Sequence, residues 1–156
     1  MNMQFLVLAG LGAGVLAGCS PALSPSAGDA PGRQSAYFAE FPTQLFAAAA
    51  LGCSRQADTL RRADEDTVVC ESLVPPEVAA SLILQYDGNL EDLPVYINRI
   101  SATPAGPGYR VTVEYFFSVP QQSGDTTVIR VRQTQIERTV REVFLMAGGQ
   151  AIAEPS

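Results

Sequence analysis

Three cysteines hold most of the covalent chemistry available to this chain of 156 residues: Cys19, Cys53 and Cys70. The chain contains no histidine, and all ten of its basic residues are arginine. Imidazole metal sites, Ser-His-Asp triads and Cys-His pairs are therefore excluded, as are Schiff bases and phosphate loops that need lysine. No base stands out to activate a hydroxyl, so the sequence predicts no catalytic residue, no metal site and no cofactor. A hydrolase that uses two carboxylates stays open.

The segment before Cys19 is uncharged, and its apolar part, residues 5–16, is broken by three glycines. A membrane-spanning helix needs roughly 20 apolar residues, whereas the apolar core of an export signal is shorter. Leu16-Ala17-Gly18-Cys19 resembles the lipobox of bacterial lipoproteins. The resemblance is confined to residues 1–20. It implies that residues 1–18 are a signal peptide, that the Cys19 thiol receives a diacylglycerol, and that the new amine is acylated, typically by palmitate.

The signal departs from the usual pattern because no Lys or Arg precedes its apolar part. The alternative is a buried helix with an incidental cysteine, which the abrupt change to SPALSPSAGDAPGRQS disfavours. In lipoprotein sorting, aspartate after the cysteine retains the protein in the inner membrane. Ser20 stands there, so the resemblance implies a lipid anchor on the periplasmic side of the outer membrane, with the inner membrane less favoured. Residues 19–35 are predicted to form a flexible tether, because they are rich in Pro, Ser, Ala and Gly.

The two remaining cysteines are predicted to form one disulfide. If Cys19 is lipidated, Cys53 and Cys70 are left over, and the compartment that the signal implies is oxidising. Closing a loop of this length stabilises a fold by about 3 kcal/mol in chain-entropy estimates. Buried free thiols are the alternative, and a zinc site would lack half of its ligands.

The rest of the chain alternates short helical and strand patterns. We predict one α+β domain over residues 36–150, a small and mostly antiparallel sheet covered by helices in the order α-β-β-α-β-β-β-α, followed by a tail at residues 151–156. The first helix crosses TQLFAAAAL, and a hairpin at residues 57–62 and 67–74 follows it. Residues 76–86 suit a helix that begins at Pro76, although SLILQY is also compatible with a strand.

The second half has the strongest strand pattern. Strands are predicted at residues 93–103 and 109–119 around PAGPG, with Val111, Tyr115 and Val119 facing the core, and another at residues 128–132. The last helix is predicted to open with a capping box, Thr134 with Glu137, and to end at Gly148-Gly149.

Four arginines form a possible interaction patch: Arg130, Arg132, Arg138 and Arg141. Gathered on one surface, they would bind carboxylate or phosphate groups of peptidoglycan, lipid head groups or an acidic protein. The alternative is that they pair with Glu114, Glu137 and Glu142.

Phe116 is predicted on the water-facing side of its strand, where it is either covered by a helix or part of a contact surface. The acidic loop DGNLED resembles an oxygen-rich calcium loop, but its spacing fails the EF-hand pattern, so a solvated turn is favoured.

Charge and composition limit the function. The net charge of −6 disfavours nucleic acid or an anionic leaflet as a partner through bulk charge. The sequence thus predicts a non-enzymatic lipoprotein, anchored to the lipid bilayer through acylated Cys19, that binds another cell-envelope protein. The alternative is a binding module for a small ligand, a lipid or a glycan fragment, held between helix and sheet.

Overall fold

The computed structural model of the protein describes residues 29–152, and the predicted signal peptide, Cys19 and residues 153–156 lie outside this range. Its elements are β1 (Arg33–Phe38), α1 (Thr43–Gly52), β2 (Asp58–Asp64), β3 (Thr67–Leu73), α2 (Pro76–Tyr86), β4 (Val95–Ala105), β5 (Gly108–Pro120), β6 (Thr126–Ile129) and α3 (Thr134–Met146). The six strands form one antiparallel sheet in the order β1-β5-β4-β3-β2, and β6 pairs with β5. The predicted α+β class with an antiparallel sheet is confirmed. No helix among residues 29–152 has the length and apolar character to cross a bilayer.

The predicted element order is wrong at its start, because strand β1 precedes the first helix. Residues 33–35 were assigned to the tether, yet they pair with β5 from Arg33 opposite Glu114 onward. Phe38 is the last residue of this strand and is buried. Gln34 and Ser35 are polar although both are buried, so this strand lacks the alternation of apolar and polar residues that marks a strand in a sequence. The neighbours that bury them cannot be identified from the sequence alone. The domain therefore begins earlier than residue 36.

Prolines and one left-handed residue set the ends of the second helix. Residues Pro76–Tyr86 form a helix, as predicted, and Pro76 occupies its first turn, where a missing N–H costs nothing. Asp87 ends it with φ of 51°. Among the side chains of α2, Ala79 and Leu82 are buried.

The β4–β5 hairpin is longer than the sequence indicated. Ala105 pairs with Gly108, which leaves only Gly106 and Pro107 as the turn, and Gly106 has φ of +60°. Gly108 also lies against β1. A Cβ at this position would stand 2.2 Å from the Phe38 carbonyl oxygen, so the close approach of the two strands requires glycine.

Two further predictions fail near the C-terminus. Strand β6 ends at Ile129, so Arg130, Val131 and Arg132, which were predicted to be part of the strand, follow it, and Val131 is exposed. The capping box is absent, because Thr134 already lies inside α3 and no side chain caps the helix. The Glu137 side chain turns inward and is buried, which leaves it unable to cap.

The sheet has two different faces, set by the alternation of side chains along each strand. The helix face packs against α1 and α3, and its buried cluster comprises Ala36, Phe38, Leu45, Phe46, Val68, Ile100, Ala102, Val111 and Phe144. The predicted core residues Val111, Tyr115 and Val119 are buried on this face. The opposite side, here named the open face, has its own small cluster of Val69, Ile97 and Phe116. Within residues 29–152, no helix residue belongs to that second cluster.

Candidate functional site

An apolar concavity of the described chain lies between α1 and α3, over the centre of the sheet. Its volume is about 400 Å³, which falls in the range of small-molecule sites. One wall is Ala48, Ala49 and Gly52 of α1, and the opposite wall is Val140 and Val143 of α3. The small side chains on α1 leave the space between the two helices unfilled. We call this concavity the α1–α3 groove.

The floor of the α1–α3 groove is formed by the three central strands. Val68, Ile100 and Val113 supply apolar side chains from β3, β4 and β5. The polar residues at its border are Asn98, Arg99 and Thr139, and the guanidinium of Arg99 lies on the open face near Phe116, which leaves the Asn98 amide and the Thr139 hydroxyl. The groove therefore offers dispersion contacts and apolar burial, with two neutral polar groups to orient a ligand.

A disulfide closes one end of the groove. Cys53, just after α1, is bonded to Cys70 of β3, with 5.7 Å between the Cα atoms, and both residues border the groove. The predicted pairing is confirmed. The bond ties the end of α1 to the sheet, which matters because only Leu45 and Phe46 of α1 are buried.

A carboxylate stands beside this disulfide. The Asp58 side chain is only 3% exposed, and Arg55 donates to it from Nε at 3.1 Å and from its backbone N–H at 3.2 Å. A hydrogen bond with Ser72, supported by Arg55, lowers the pKa of Asp58. Cys53, Asp58 and Cys70 form the single cluster of potential metal ligands among residues 29–152, but both sulfurs are committed to the disulfide.

A second, smaller groove follows the other flank of α1. Its volume is about 290 Å³, and it is lined by Phe41, Phe46, Ala47, Ala50 and Leu60 among others. Helix α1 carries no charged residue between Thr43 and Gly52. The uncharged helix with an apolar groove on each flank gives this part of the domain an exposed apolar surface.

Under α3 lies a buried polar cluster. Tyr115 is 1% exposed and Glu137 is 5% exposed. The Tyr115 hydroxyl, the Tyr96 hydroxyl and Glu137 Oε1 have no hydrogen-bond partner of good geometry among the described residues. Burial above all, and next the charge of the nearby Glu137 carboxylate, raises the pKa of Tyr115 to about 12. Beside them, Arg141 Nη1 donates to Gln34 Oε1 at 2.9 Å and so links α3 to β1.

The four arginines of the predicted patch do not share one surface. Arg130 Nη2 lies 2.9 Å from Glu114 Oε1 on the open face, and Arg132 Nη1 lies 3.8 Å from Glu137 Oε2. Arg141 donates a hydrogen bond to Gln34. Only Arg138 is exposed on α3 without an ion pair among the described residues. Three of the four thus have intramolecular partners, two of them the glutamates that the alternative named.

Phe116 is buried, but a helix does not cover it. The ring is 7% exposed and packs with Val69 and Ile97 on the open face. Above it lie two guanidinium groups, with the Cζ of Arg130 at 4.8 Å and that of Arg99 at 5.9 Å from the ring centroid. These are cation–π distances. Arginine stems and charges therefore shield this aromatic ring from water.

Sequence reasoning missed the α1–α3 groove. The signal that was available is the run of four alanines, which favours a helix but also removes the bulk that would fill the space above the strands. The chain matches no protein-family model, and no curated protein matches its sequence.

Proposed function

We propose that this chain is a non-enzymatic lipoprotein of the periplasmic face of the outer membrane, and that it binds the acyl chain of a lipid in the α1–α3 groove. The observation that supports an acyl chain as the ligand is the apolar groove of about 400 Å³ between two helices and the sheet. Support for the anchor comes from Leu16-Ala17-Gly18-Cys19 at the end of an uncharged apolar segment. The absence of histidine and lysine supports a binding role instead of catalysis.

An acyl chain suits the chemistry of the lining. The walls from α1 and α3 present alanine, glycine and valine, and no carboxylate borders the groove. Each methylene transferred from water to an apolar site contributes about 0.8 kcal/mol, or about fourfold in affinity. A lipid whose chain lies in the groove and whose head group stays in water would gain this contribution without burying a charge.

A fluorescent fatty acid tests this proposal. The exported chain carrying Cys19→Ser, which removes the attached lipid, is titrated with the probe, and unlabelled fatty acids of increasing length compete for it. Affinity is expected to rise about fourfold per methylene until the groove is filled, and then to level off. Displacement that does not depend on chain length would contradict an acyl-chain site.

Two neighbouring alanines provide a matched pair of variants. Ala48 lines the α1–α3 groove, whereas Ala47 lines the smaller groove on the other flank, and both are exposed. Ala48→Phe is expected to weaken probe binding at least tenfold, because the ring occupies the groove, while Ala47→Phe leaves it unchanged. Equal effects of the two variants would place the ligand elsewhere.

A second candidate is binding of another envelope protein. The observation that favours it is the exposure of Leu51 on α1, at 78%, and of Leu60 on β2, both beyond the reach of a ligand in the groove. Such side chains are covered when an amphipathic helix of a partner packs along an apolar groove. This candidate would be favoured if the Ala48→Phe variant still bound an envelope protein that the unsubstituted chain binds, while it no longer bound the fluorescent fatty acid.

A further inference from the structure

Arginine is concentrated on the open face of the sheet. All ten arginines of the chain lie within the described residues, and five have open-face positions: Arg33, Arg61, Arg99, Arg110 and Arg130. Four are strand residues, and Arg130 follows β6 with its guanidinium over Phe116. The strands place Glu71 and Glu114 on this face, and Asp64 at the end of β2 pairs with the open-face residue Thr67. Five positive and three negative charges give this face a net charge of +2, whereas the whole chain has −6.

Only some of the open-face arginines form ion pairs. Arg61 Nε lies 3.3 Å from Glu71 Oε1, and Glu114 is shared by Arg99 at 3.7 Å and Arg130 at 2.9 Å. One glutamate thus serves two arginines. The described residues offer no ion-pair partner to Arg33 or Arg110, which are both exposed.

The geometry of the sheet makes this charge available to a flat partner. Four of the five side chains come from β1, β5, β4 and β2, and the fifth comes from the residue after β6, so they are spread across the sheet instead of gathered in a pocket. Phe116, Ile97 and Val69 form a shallow apolar centre among them. A broad, exposed and net positive surface is complementary to an anionic surface of similar extent.

We propose that the open face docks on an anionic phospholipid bilayer. The inference goes beyond the proposed function, which concerns the groove on the other side of the sheet, and it uses the anchor of that proposal only for orientation. One acyl signal combined with a basic patch holds a protein at a membrane more firmly than either alone. Arg33 is also the first open-face arginine after Cys19, and fourteen residue steps span at most about 50 Å.

Docking in this manner has a consequence for the ligand. The α1–α3 groove lies on the helix face, opposite the arginines. With the open face against lipid head groups, the groove points away from the bilayer into water. An acyl chain held there is then presented to the aqueous compartment, out of the membrane that anchors the protein.

Vesicle binding of the exported chain carrying Cys19→Ser tests the docking directly, because attached lipid cannot contribute. Vesicles of phosphatidylcholine are compared with vesicles that contain about one third phosphatidylglycerol, a composition with a negative surface potential. Binding is expected only to the anionic vesicles, and it is expected to fall as NaCl shortens the Debye length from about 30 Å at 0.01 M to about 8 Å at physiological strength. Equal binding to both vesicles overturns the proposal.

Single-charge variants separate the open face from bulk charge. Arg110→Gln is expected to weaken binding to anionic vesicles about fivefold, and Arg33→Gln with Arg110→Gln about 25-fold. Arg138→Gln, which removes an exposed arginine from α3, is the control and leaves binding unchanged. Thermal unfolding shows that each variant is folded. Equal losses at Arg110 and Arg138 overturn the proposal, as does binding to polyglutamate but not to vesicles, which would assign the face to an acidic protein. Fatty-acid binding by the groove is unaffected in either case, so the two proposals fail independently.

Discussion

The guanidinium of Arg130 lies 4.8 Å above the ring centroid of Phe116, although Phe116 belongs to β5 and Arg130 follows β6, fourteen positions further along the chain. The same guanidinium donates to Glu114. Cation–π contacts at exposed sites contribute about 0.5–1 kcal/mol, and exposed ion pairs contribute less than about 1 kcal/mol. The open face is therefore ordered by its charges as well as by its small apolar cluster.

This contact can be measured by a double-mutant cycle. Arg130→Gln and Phe116→Leu are each expected to lower the free energy of unfolding by about 1 kcal/mol, with a coupling of about 0.5–1 kcal/mol in the double variant. Urea denaturation gives the three values. A control cycle pairs Arg138→Gln with Phe116→Leu and should show no coupling. Additive losses at Arg130 and Phe116 would mean that the guanidinium covers the ring without stabilising it.

Removing the disulfide should loosen α1 selectively. Cys53 and Cys70 are separated by 17 residues, and closing such a loop stabilises the fold by about 3 kcal/mol. The Cys53→Ser, Cys70→Ser variant is expected to lose that amount in urea denaturation. Its amide hydrogens in α1 should exchange faster, because only Leu45 and Phe46 then hold the helix, while those in the β4–β5 hairpin change little below global unfolding. Uniform acceleration across the domain would contradict a local role for the bond.

Tyr115 makes stability depend on alkaline pH. Its pKa rises from the usual 10.0 to about 12, chiefly through burial. The protonated phenol therefore contributes stability that is fully present below pH 10 and is lost as the pH rises towards about 12. Unfolding measured across this range should show the decline, and Tyr115→Phe should reduce it. The decline in stability that remains in this variant is expected from Tyr96, whose pKa is also raised by burial. At neutral pH the Tyr115→Phe variant should lose less than about 1 kcal/mol, since the hydroxyl lacks a partner of good geometry among the described residues.

Glu137 is expected to cost stability. Its carboxylate is buried, and Oε1 has no hydrogen-bond partner of good geometry among the described residues, whereas its ion-pair partner Arg132 is 67% exposed and stays hydrated without it. Replacing a buried ion by an apolar side chain of similar volume is often stabilising. Glu137→Met is therefore expected to raise the free energy of unfolding by about 1 kcal/mol. Glu142→Met, an exposed position on the same helix, should change it by less than about 0.5 kcal/mol. A loss at Glu137 would show that the carboxylate stabilises the contact between α3 and the sheet.

Elements with a clear local sequence pattern were predicted correctly from the sequence. Pro76 and Asp87-Gly88 delimit α2, and the alternation from Val111 to Val119 identifies the buried side of β5. Strand β1 could not be found in this way, because Gln34 and Ser35 are buried through partners far along the chain. Ser35 Oγ meets the Thr112 hydroxyl at 3.1 Å, and Arg141 satisfies Gln34.

The candidate sites were also only partly predictable from the sequence, because some of them depend on contacts between distant segments. The disulfide followed from the small number of cysteines and from the compartment that the signal implies. The arginine patch was predicted from proximity along the chain, but the sheet combines Arg130 with Arg33 and Arg110, which lie on other strands. The groove depends on the distance between α1 and α3, which no single segment encodes.

One edge of the sheet is strand β2, which has a register irregularity between Arg62 and Asp64 and carries charged residues along its length. Regular edges recruit strands from other molecules, whereas irregular and charged ones resist this. A chain confined to a membrane plane meets copies of itself at a much higher effective concentration than one in free solution. With the proposed lipid anchor, an irregular β2 would therefore disfavour the joining of neighbouring molecules at this edge of the sheet.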